Sequence, residues 1–145
     1  MKFLNSLQPL GLLVLRLALA VIFAYHGYPK LIRADAGMRE FFMSHGFPGY
    51  FVGLAGILEL AGGGLLVIGL FTRPVSLLLA IEMGIVIWKV KSVHGVMGVN
   101  DYQFELALGA ACLALATVGA GVVSMDHLLF GESGKKRRSA KSSRE

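Results

Sequence analysis

Four long apolar stretches dominate the sequence, and they constrain the fold more than any other feature. They cover roughly residues 10 to 28, 49 to 71, 75 to 93 and 103 to 123. Each is close to the ~20 residues that a helix needs to cross the hydrocarbon core of a bilayer. A helix also hydrogen-bonds its own backbone, as lipid requires. The pattern therefore predicts an all-α integral membrane four-helix bundle with four transmembrane helices.

The composition agrees with a membrane protein. Of the 145 residues, 55% are hydrophobic and 16% charged, and the mean hydropathy of +0.67 is too high for an ordinary soluble domain. The single cysteine, Cys112, excludes an internal disulfide, a CxxC redox pair and a cysteine zinc site. Six of the fourteen basic residues lie in "KKRRSAKSSRE" at the C-terminus. We interpret residues 131–145 as a basic disordered cytoplasmic tail, not a nucleic-acid-binding segment, that follows a transmembrane domain over residues 1–130.

Basic residues near the ends of the stretches indicate the orientation. Lys2, Arg73 and the tail lie on one side of the predicted membrane, and fewer basic residues lie on the other. This asymmetry predicts cytoplasmic termini and a multi-pass protein of the bacterial cytoplasmic (inner) membrane. Arg16 interrupts the first stretch, which disfavours a cleaved signal peptide. Only "TRP", residues 72–74, separates the second and third stretches, so these helices are expected to be antiparallel neighbours.

The ends of the first and last helices are predicted from local signals. Gly27 and Pro29 are expected to stop the first helix, because proline lacks a backbone N–H and glycine favours a helix end. A loop would then run over residues 29 to 48. Lys30 is expected to extend toward the lipid headgroups. Asn100 or Asp101 is the expected N-cap of the fourth helix.

Ionisable residues interrupt the apolar stretches at two depths. Counting ~1.5 Å of rise per residue places Arg16 and Glu82 ~9 to 11 Å from the cytoplasmic ends, where we expect a structural ion pair. A charge at the centre of a span costs ~2.5 to 3.5 kcal/mol, so these groups are expected to face inward and pair. Glu82 and Lys89 are seven residues apart and would share one face of a regular helix. A second band lies ~18 to 28 Å deep and contains Glu59, Lys89, His26, His94 and Glu105.

Two interpretations of the second band remain open. The band could be a satisfied network that only fixes helix packing, or a polar pocket that binds a small molecule or handles protons. Glu59 is the best candidate base, because burial favours the neutral form of a carboxyl group unless a cation pairs with it. His26, expected to point into the bundle, is the second titrating candidate.

Metal and haem sites have little support. His26 and His94 are predicted at similar heights on different helices, as haem ligation would require. No spacing motif accompanies them, and we therefore expect neither haem nor a metal. The glycines around Glu59, Gly56 and Gly62 to Gly64, favour close approach of either a neighbouring helix or a ligand. Small residues on the fourth helix could serve a homo-oligomer.

The chain resembles the DoxX family of small bacterial membrane proteins over roughly residues 10 to 130. The resemblance is carried by "LLVLRLALAVIFAYHGYPKL", "GILELAGGGLLVIGLFTRP", "NDYQFELAL" and "GAGVVSMDHLL". It departs at Ala120, where the family often has proline, and at Val122. The family tends to keep the residue types found here at Arg16, His26, Gly27, Lys30, Glu59, Thr72, Arg73, Glu105 and Asp126.

The resemblance implies a membrane subunit that supports quinone-linked or oxidative-stress-related redox chemistry. Related DoxD-type proteins form the membrane subunit of a thiosulfate:quinone oxidoreductase, and others associate with redox-stress partners. If the chain is enzymatic, it is expected to be a subunit of a quinone-linked oxidoreductase, with a quinone as the cofactor and a redox enzyme as a partner in the bilayer. The alternative is a non-enzymatic assembly or interaction protein, or a small proton-coupled transporter.

Overall fold

The computed structural model describes residues 2–33, 35–91 and 98–130, and these ranges are all-helical apart from their connections. His94 and the tail 131–145 lie outside the described residues. The helices are α1 (Lys2–Ile32), α2 (Ala36–Ser44), α3 (Phe51–Ile68), α4 (Thr72–Val86) and α5 (Val99–Val118). A π-helical turn over Ile87–Lys91 prolongs α4, and residues 125–130 form a further short helix.

Two described segments are long and apolar enough to cross a membrane on length and composition alone. They are Ser6–Ile32 and Phe51–Ile68. By comparison, α4 is only 15 residues long before its π turn, and α5 begins with the polar sequence "VNDYQFE". The prediction of an all-α protein is confirmed over the described residues.

The first helix is longer than predicted. It contains Gly27 and Pro29 and continues to Ile32, and the Arg33 N–H donates to the Pro29 carbonyl at 2.8 Å. The prediction that Gly27 and Pro29 end the helix is therefore wrong. Proline removes one hydrogen bond, and packing of the last turn against a neighbouring helix outweighs that loss.

The predicted first loop contains a helix of its own. Asp35 caps α2 by accepting a hydrogen bond from the Met38 N–H at 2.9 Å. The start of α5 also differs from the prediction, because the N-cap is Gly98, without a side-chain hydrogen bond, and not Asn100 or Asp101.

The helices pack as two pairs, α1 with α3 and α4 with α5, and the pairs meet mainly through α3 and α4. The short connection Gly69–Phe71 makes α3 and α4 neighbours, as predicted. Gly69 ends α3 in the left-handed conformation with φ 69°, which glycine adopts without strain. The apolar core lies between the pairs and includes Leu19, Phe23, Leu66, Leu79, Cys112 and Leu115.

Candidate functional site

An ion pair joins α1 to α3 at the end of the bundle beside α2, which we call the α2 end. Lys30 Nζ donates to both carboxylate oxygens of Glu59, at 2.7 Å to Oε1 and 2.6 Å to Oε2. Glu59 is only 2% exposed. Lys30 therefore does not extend to the headgroups as predicted, because the buried carboxylate offers a stronger partner than water.

Two glycines allow this pair to form by bringing the helices together. A Cβ on Gly27 would lie 2.7 Å from the Leu60 nitrogen, and a Cβ on Gly56 would lie 2.9 Å from the Lys30 Cβ. Real Cβ atoms do not approach so closely, so both positions require glycine. Of the two roles considered for the glycines around Glu59, helix packing is the one that Gly56 performs.

A mainly apolar cavity of about 410 Å³ opens beside the Lys30–Glu59 pair, between α2, α3 and α4. Aromatic side chains form much of its wall: Phe41, Phe42, Phe47 and Phe51. The ionisable side chains that line it are Lys30, His45, Glu82 and Lys91. A cavity with apolar walls and a few polar groups is typical of a site for a small amphiphilic molecule.

Glu82 has no hydrogen-bond partner among the described residues, although it lines the cavity. Its Oε2 is enclosed by protein, and the charges of Glu59 and Lys30 act on the group. The predicted ion pair between Arg16 and Glu82 is wrong, because all the described partners of Arg16 are backbone carbonyls. Arg16 and Glu82 were paired because they were predicted to lie at the same depth, but carbonyl groups at helix ends accept hydrogen bonds too.

The second ion pair at the α2 end is Lys91 with Glu105, 3.6 Å from Nζ to Oε1. Lys89, predicted to face the pocket, is instead exposed, with its Nζ 5.0 Å from the Trp88 ring centroid. The π turn explains the difference. Its wider turns shift the helical register after Val86, so the seven-residue spacing from Glu82 no longer places Lys89 on the cavity face.

His26 is exposed and does not point into the bundle as predicted. Its Nδ1–H donates to the Ile22 carbonyl at 2.8 Å, and its ring centroid lies 6.0 Å from that of Phe104. It still acts electrostatically on Glu59. Of the predicted band, Glu59 and Glu105 therefore belong to separate ion pairs, His26 and Lys89 are exposed, and His94 lies outside the described residues.

Arg16 organises the opposite end of the bundle, which we call the Arg16 end. It is 1% exposed, and its guanidinium donates four hydrogen bonds of 2.7 to 3.1 Å to backbone carbonyls. The acceptors lie at the end of α3 and in the segment after α5: Leu66, Val67, Ala120 and Val123. This planar group thereby satisfies carbonyls that helix ends leave unpaired.

Asp126 completes the Arg16 end. Its carboxylate accepts hydrogen bonds from the Phe71 N–H at 2.7 Å and the Thr72 N–H at 2.9 Å, which caps α4. Phe71 has φ 50°, an uncommon conformation outside glycine. Two hydroxyl groups near this cap, those of Thr72 and Ser76, are buried without a partner among the described residues.

No group of three or more histidine, cysteine, aspartate or glutamate side chains suited to a metal occurs in the part of the chain that the structure describes. The expectation of no metal or haem stays a prediction, since His94 lies outside that part.

Sequence reasoning missed three components of the α2 end. They are Lys30 as the partner of Glu59, Lys91 as the partner of Glu105, and the aromatic side chains of the first loop. A signal existed for the last of these, because "FFMSHGFPGYF" places aromatic residues beside a histidine. The two ion-pair partners depend on tertiary contacts that spacing alone does not reveal.

The described helices expose many apolar side chains and enclose the charged residues Arg16 and Glu59 between them, a pattern typical of an integral membrane protein. The sequence model of the family DoxX matches residues 11–92. The chain belongs to the DoxX family and is a protein of the bacterial inner membrane.

Curated relatives match nearly the full length of the chain. It is 33% identical over 132 residues to "Putative oxidoreductase CatD" of Bacillus subtilis, covering 91% of this chain and 95% of that protein. It is 31% identical over 129 residues to "Inner membrane protein YqjF" of Escherichia coli, covering 86% and 96%. "Inner membrane protein YphA" of Escherichia coli is 30% identical over 132 residues, covering 84% and 92%. No solved structure matches the chain.

Proposed function

We propose that this protein is a membrane subunit that binds a quinone-class aromatic amphiphile in the α2-end cavity and so supports quinone-linked or oxidative-stress-related redox chemistry. The observation that carries the proposal is the cavity itself, whose aromatic wall suits a ring and whose few polar groups suit a polar substituent. The name of one relative, "Putative oxidoreductase CatD", agrees with this chemistry.

The proposal includes four membrane spans with both termini in the cytoplasm. The 15 residues of α4 and the five of the π turn together approach the ~20 residues needed to cross the bilayer, and α5 has 20 residues.

Cysteine labelling tests the orientation. Cys112 is fully buried, so a single new cysteine can report which side of the membrane its position lies on. Cells with Ser44→Cys should react with an impermeant maleimide, whereas Ser139→Cys should react only after permeabilisation. The reverse pattern would overturn the orientation.

Ligand binding is tested by titrating purified protein in nanodiscs with decylubiquinone. Trp88, the single tryptophan, lies in the π turn two residues before the cavity residue Val90 and is 70% exposed. Occupancy is therefore measured as the saturable part of its fluorescence quenching, above the linear quenching by quinone dissolved in the bilayer. Ala55→Phe should abolish saturable quenching, because Ala55 lines the cavity. The matched control is Ala18→Phe, which changes an exposed position on α1. Equal binding by both variants would remove the cavity from the proposal.

A second candidate is proton-coupled transport, favoured by one observation: Glu82 has no described partner and lies within electrostatic range of Glu59 and Lys30. A proton relay needs such a group. Proteoliposomes with an imposed pH gradient would show flux that Glu82→Gln abolishes. Absence of flux in the wild type would eliminate this candidate.

A further inference from the structure

We infer that the α2-end cavity also binds a cationic aromatic amphiphile, and that this cation enters in exchange for the proton of Glu82. The inference goes beyond the proposed function, because it adds a second chemical class of ligand to the same cavity and a proton that leaves when that ligand binds. Three features carry it: the charges at the cavity, the enclosure of Glu82 and the aromatic wall.

The charged groups at the cavity are paired, except for Glu82. Lys30 donates to both carboxylate oxygens of Glu59, and Lys91 pairs with Glu105 across 3.6 Å. Glu82 also lines the cavity, and its Oε2 is enclosed by protein without a hydrogen-bond partner among the described residues. A carboxyl group that is shielded from water and not paired with a cation favours its neutral form. With a proton on Glu82, two ammonium groups and two carboxylates remain, and their charges cancel.

The charge of a ligand decides whether that proton stays on Glu82. A neutral amphiphile leaves the charges balanced, so Glu82 keeps its proton and can both donate and accept a hydrogen bond. A cation adds one positive charge. Loss of the proton from Glu82 to water restores the balance and gives the cation a carboxylate partner. An anion finds both lysines of the cavity already paired with carboxylates, which are stronger partners than most ligand groups.

Other titratable groups surround Glu82. They lie on each of the elements around the cavity: Lys30 of α1, His45 of α2, Glu59 of α3, Lys91 of the π turn, and Cys112 and Glu105 of α5. Four of these groups are held in the two ion pairs, and the Cys112 thiol is buried in the apolar core. His45 Nδ1 lies 2.7 Å from the Phe41 carbonyl. Glu82 is therefore the expected source of the proton, and its substitution distinguishes it from His45.

The aromatic wall favours a cation as well. The ring centroid of Phe42 lies 6.2 Å from that of Phe41 and 6.2 Å from that of Phe47. Phe51 continues the row, with its ring centroid 5.7 Å from that of Phe47. These rings line the same cavity as Glu82, and aromatic rings attract ammonium groups, quaternary ones included. The expected ligand is therefore an aromatic amphiphile with an ammonium head.

The test compares three ligands that share a butylbenzene body and differ in charge. They are para-butylbenzyltrimethylammonium, the neutral para-butylbenzyl alcohol and the anionic para-butylbenzenesulfonate. A quaternary ammonium has no N–H, so a proton released on its binding comes from the protein. Calorimetry in phosphatidylcholine nanodiscs, repeated in two buffers of different ionisation enthalpy, gives the number of protons released, after subtraction of the signal from nanodiscs without protein.

We expect the cation to bind saturably and to release about one proton near pH 6, the alcohol to bind without release, and the sulfonate not to bind. Because the proton competes with the cation, the affinity for the cation should rise by up to about tenfold per pH unit, while the affinity for the alcohol stays constant. Cation binding without proton release would overturn the exchange. Sulfonate binding as tight as that of the cation would overturn the charge argument.

Two variants assign the proton to Glu82. Glu82→Gln should weaken cation binding by at least about tenfold and abolish proton release, and its retained binding of the alcohol shows that the variant is folded. If it binds neither ligand, Glu82→Asp, which keeps a carboxyl group, should restore cation binding with proton release, and its failure to do so would overturn the inference. The matched control is Glu40→Gln, at an exposed position of α2 outside the cavity lining. Proton release that persists in Glu82→Gln would assign the proton to another group and overturn the inference.

The outcomes also separate the inference from the proposed function. Saturable binding of decylubiquinone that Ala55→Phe blocks, without any binding of the cation, would overturn the inference and leave the proposed function intact. Cation binding with proton release, without binding of decylubiquinone, would do the reverse. Ala55→Phe should block the cation as well, and cation binding that this variant leaves unchanged would place the cation outside the cavity and overturn the inference.

Discussion

The Arg16 end and the α2 end of the bundle treat their buried ionisable side chains in opposite ways. At the Arg16 end the guanidinium meets four carbonyls and Asp126 meets two N–H groups. At the α2 end, two ion pairs lie beside a cavity, and one carboxyl group has no described partner. The Arg16 end also holds two buried hydroxyl groups without a described partner, those of Thr72 and Ser76, but the only ionisable side chain in this position among the described residues is Glu82. An unsatisfied ionisable group beside a cavity is typical of a binding site. On the function proposed above, the Arg16 end is structural and the α2 end binds the ligand.

The largest expected effect is that of Arg16→Leu. Removing the guanidinium leaves four carbonyls without their donor in a buried site, at about 1 to 3 kcal/mol for each buried group left unsatisfied. We expect the free energy of unfolding to fall by on the order of 3 kcal/mol or more, measured by unfolding in mixed micelles of rising SDS fraction. Arg16→Lys should lose less, since one ammonium still donates. Stability equal to the wild type would contradict a structural role for this end.

The second-largest loss of stability is expected when a substitution pushes α1 and α3 apart. Gly56→Ala places a methyl group against Lys30, so the helices must move apart, and we expect a loss of about 1 to 3 kcal/mol in the same assay. Gly64→Ala is the matched control, because a Cβ there meets nothing within 4 Å. That control should be as stable as the wild type or slightly more stable. Equal losses in both variants would indicate a backbone effect unrelated to the ion pair.

A smaller loss is expected from Asp126→Asn. The amide keeps one acceptor and loses the charge and the second acceptor for the start of α4, which corresponds to about 1 kcal/mol. Asp35→Asn, a cap substitution on α2, serves as the control, because asparagine caps helices as well as aspartate. The two variants compared in SDS unfolding should differ by that amount. No difference would show that Asp126 contributes no more than an ordinary exposed cap.

The smallest effect has the opposite sign. Glu82→Leu replaces a carboxyl group without a described partner by an apolar side chain of similar size, so we expect unchanged stability or a gain of up to about 1 kcal/mol. In the unfolding assay, the free energy of unfolding should therefore fall in Arg16→Leu and stay equal or rise in Glu82→Leu. A loss similar to that of Arg16→Leu would show that Glu82 is as satisfied as Arg16, and the contrast between the ends would disappear.

The sequence predicted which charged residues are buried in the bundle better than it predicted the groups that they bind. The long apolar stretches and the high cost of charge in lipid were enough to predict that Arg16 and Glu59 are buried. They were not enough to predict that Arg16 binds carbonyls, because every residue carries a carbonyl and the sequence does not mark which helix end will be near. The π turn after Val86 likewise moved Lys91, and not Lys89, beside Glu105, and regular helical spacing cannot anticipate such a change.

The acceptors of Arg16 also set an order of events during synthesis. Its bonds to Ala120 and Val123 span 104 and 107 residues of chain, so the guanidinium enters the membrane long before those carbonyls have been translated. Until the segment after α5 has been synthesised, the first helix must keep that charge near water or another partner. The final native contacts at this end therefore form only after nearly the whole bundle has been made, and a ribosome that stops before residue 120 leaves a chain whose first helix is incompletely anchored.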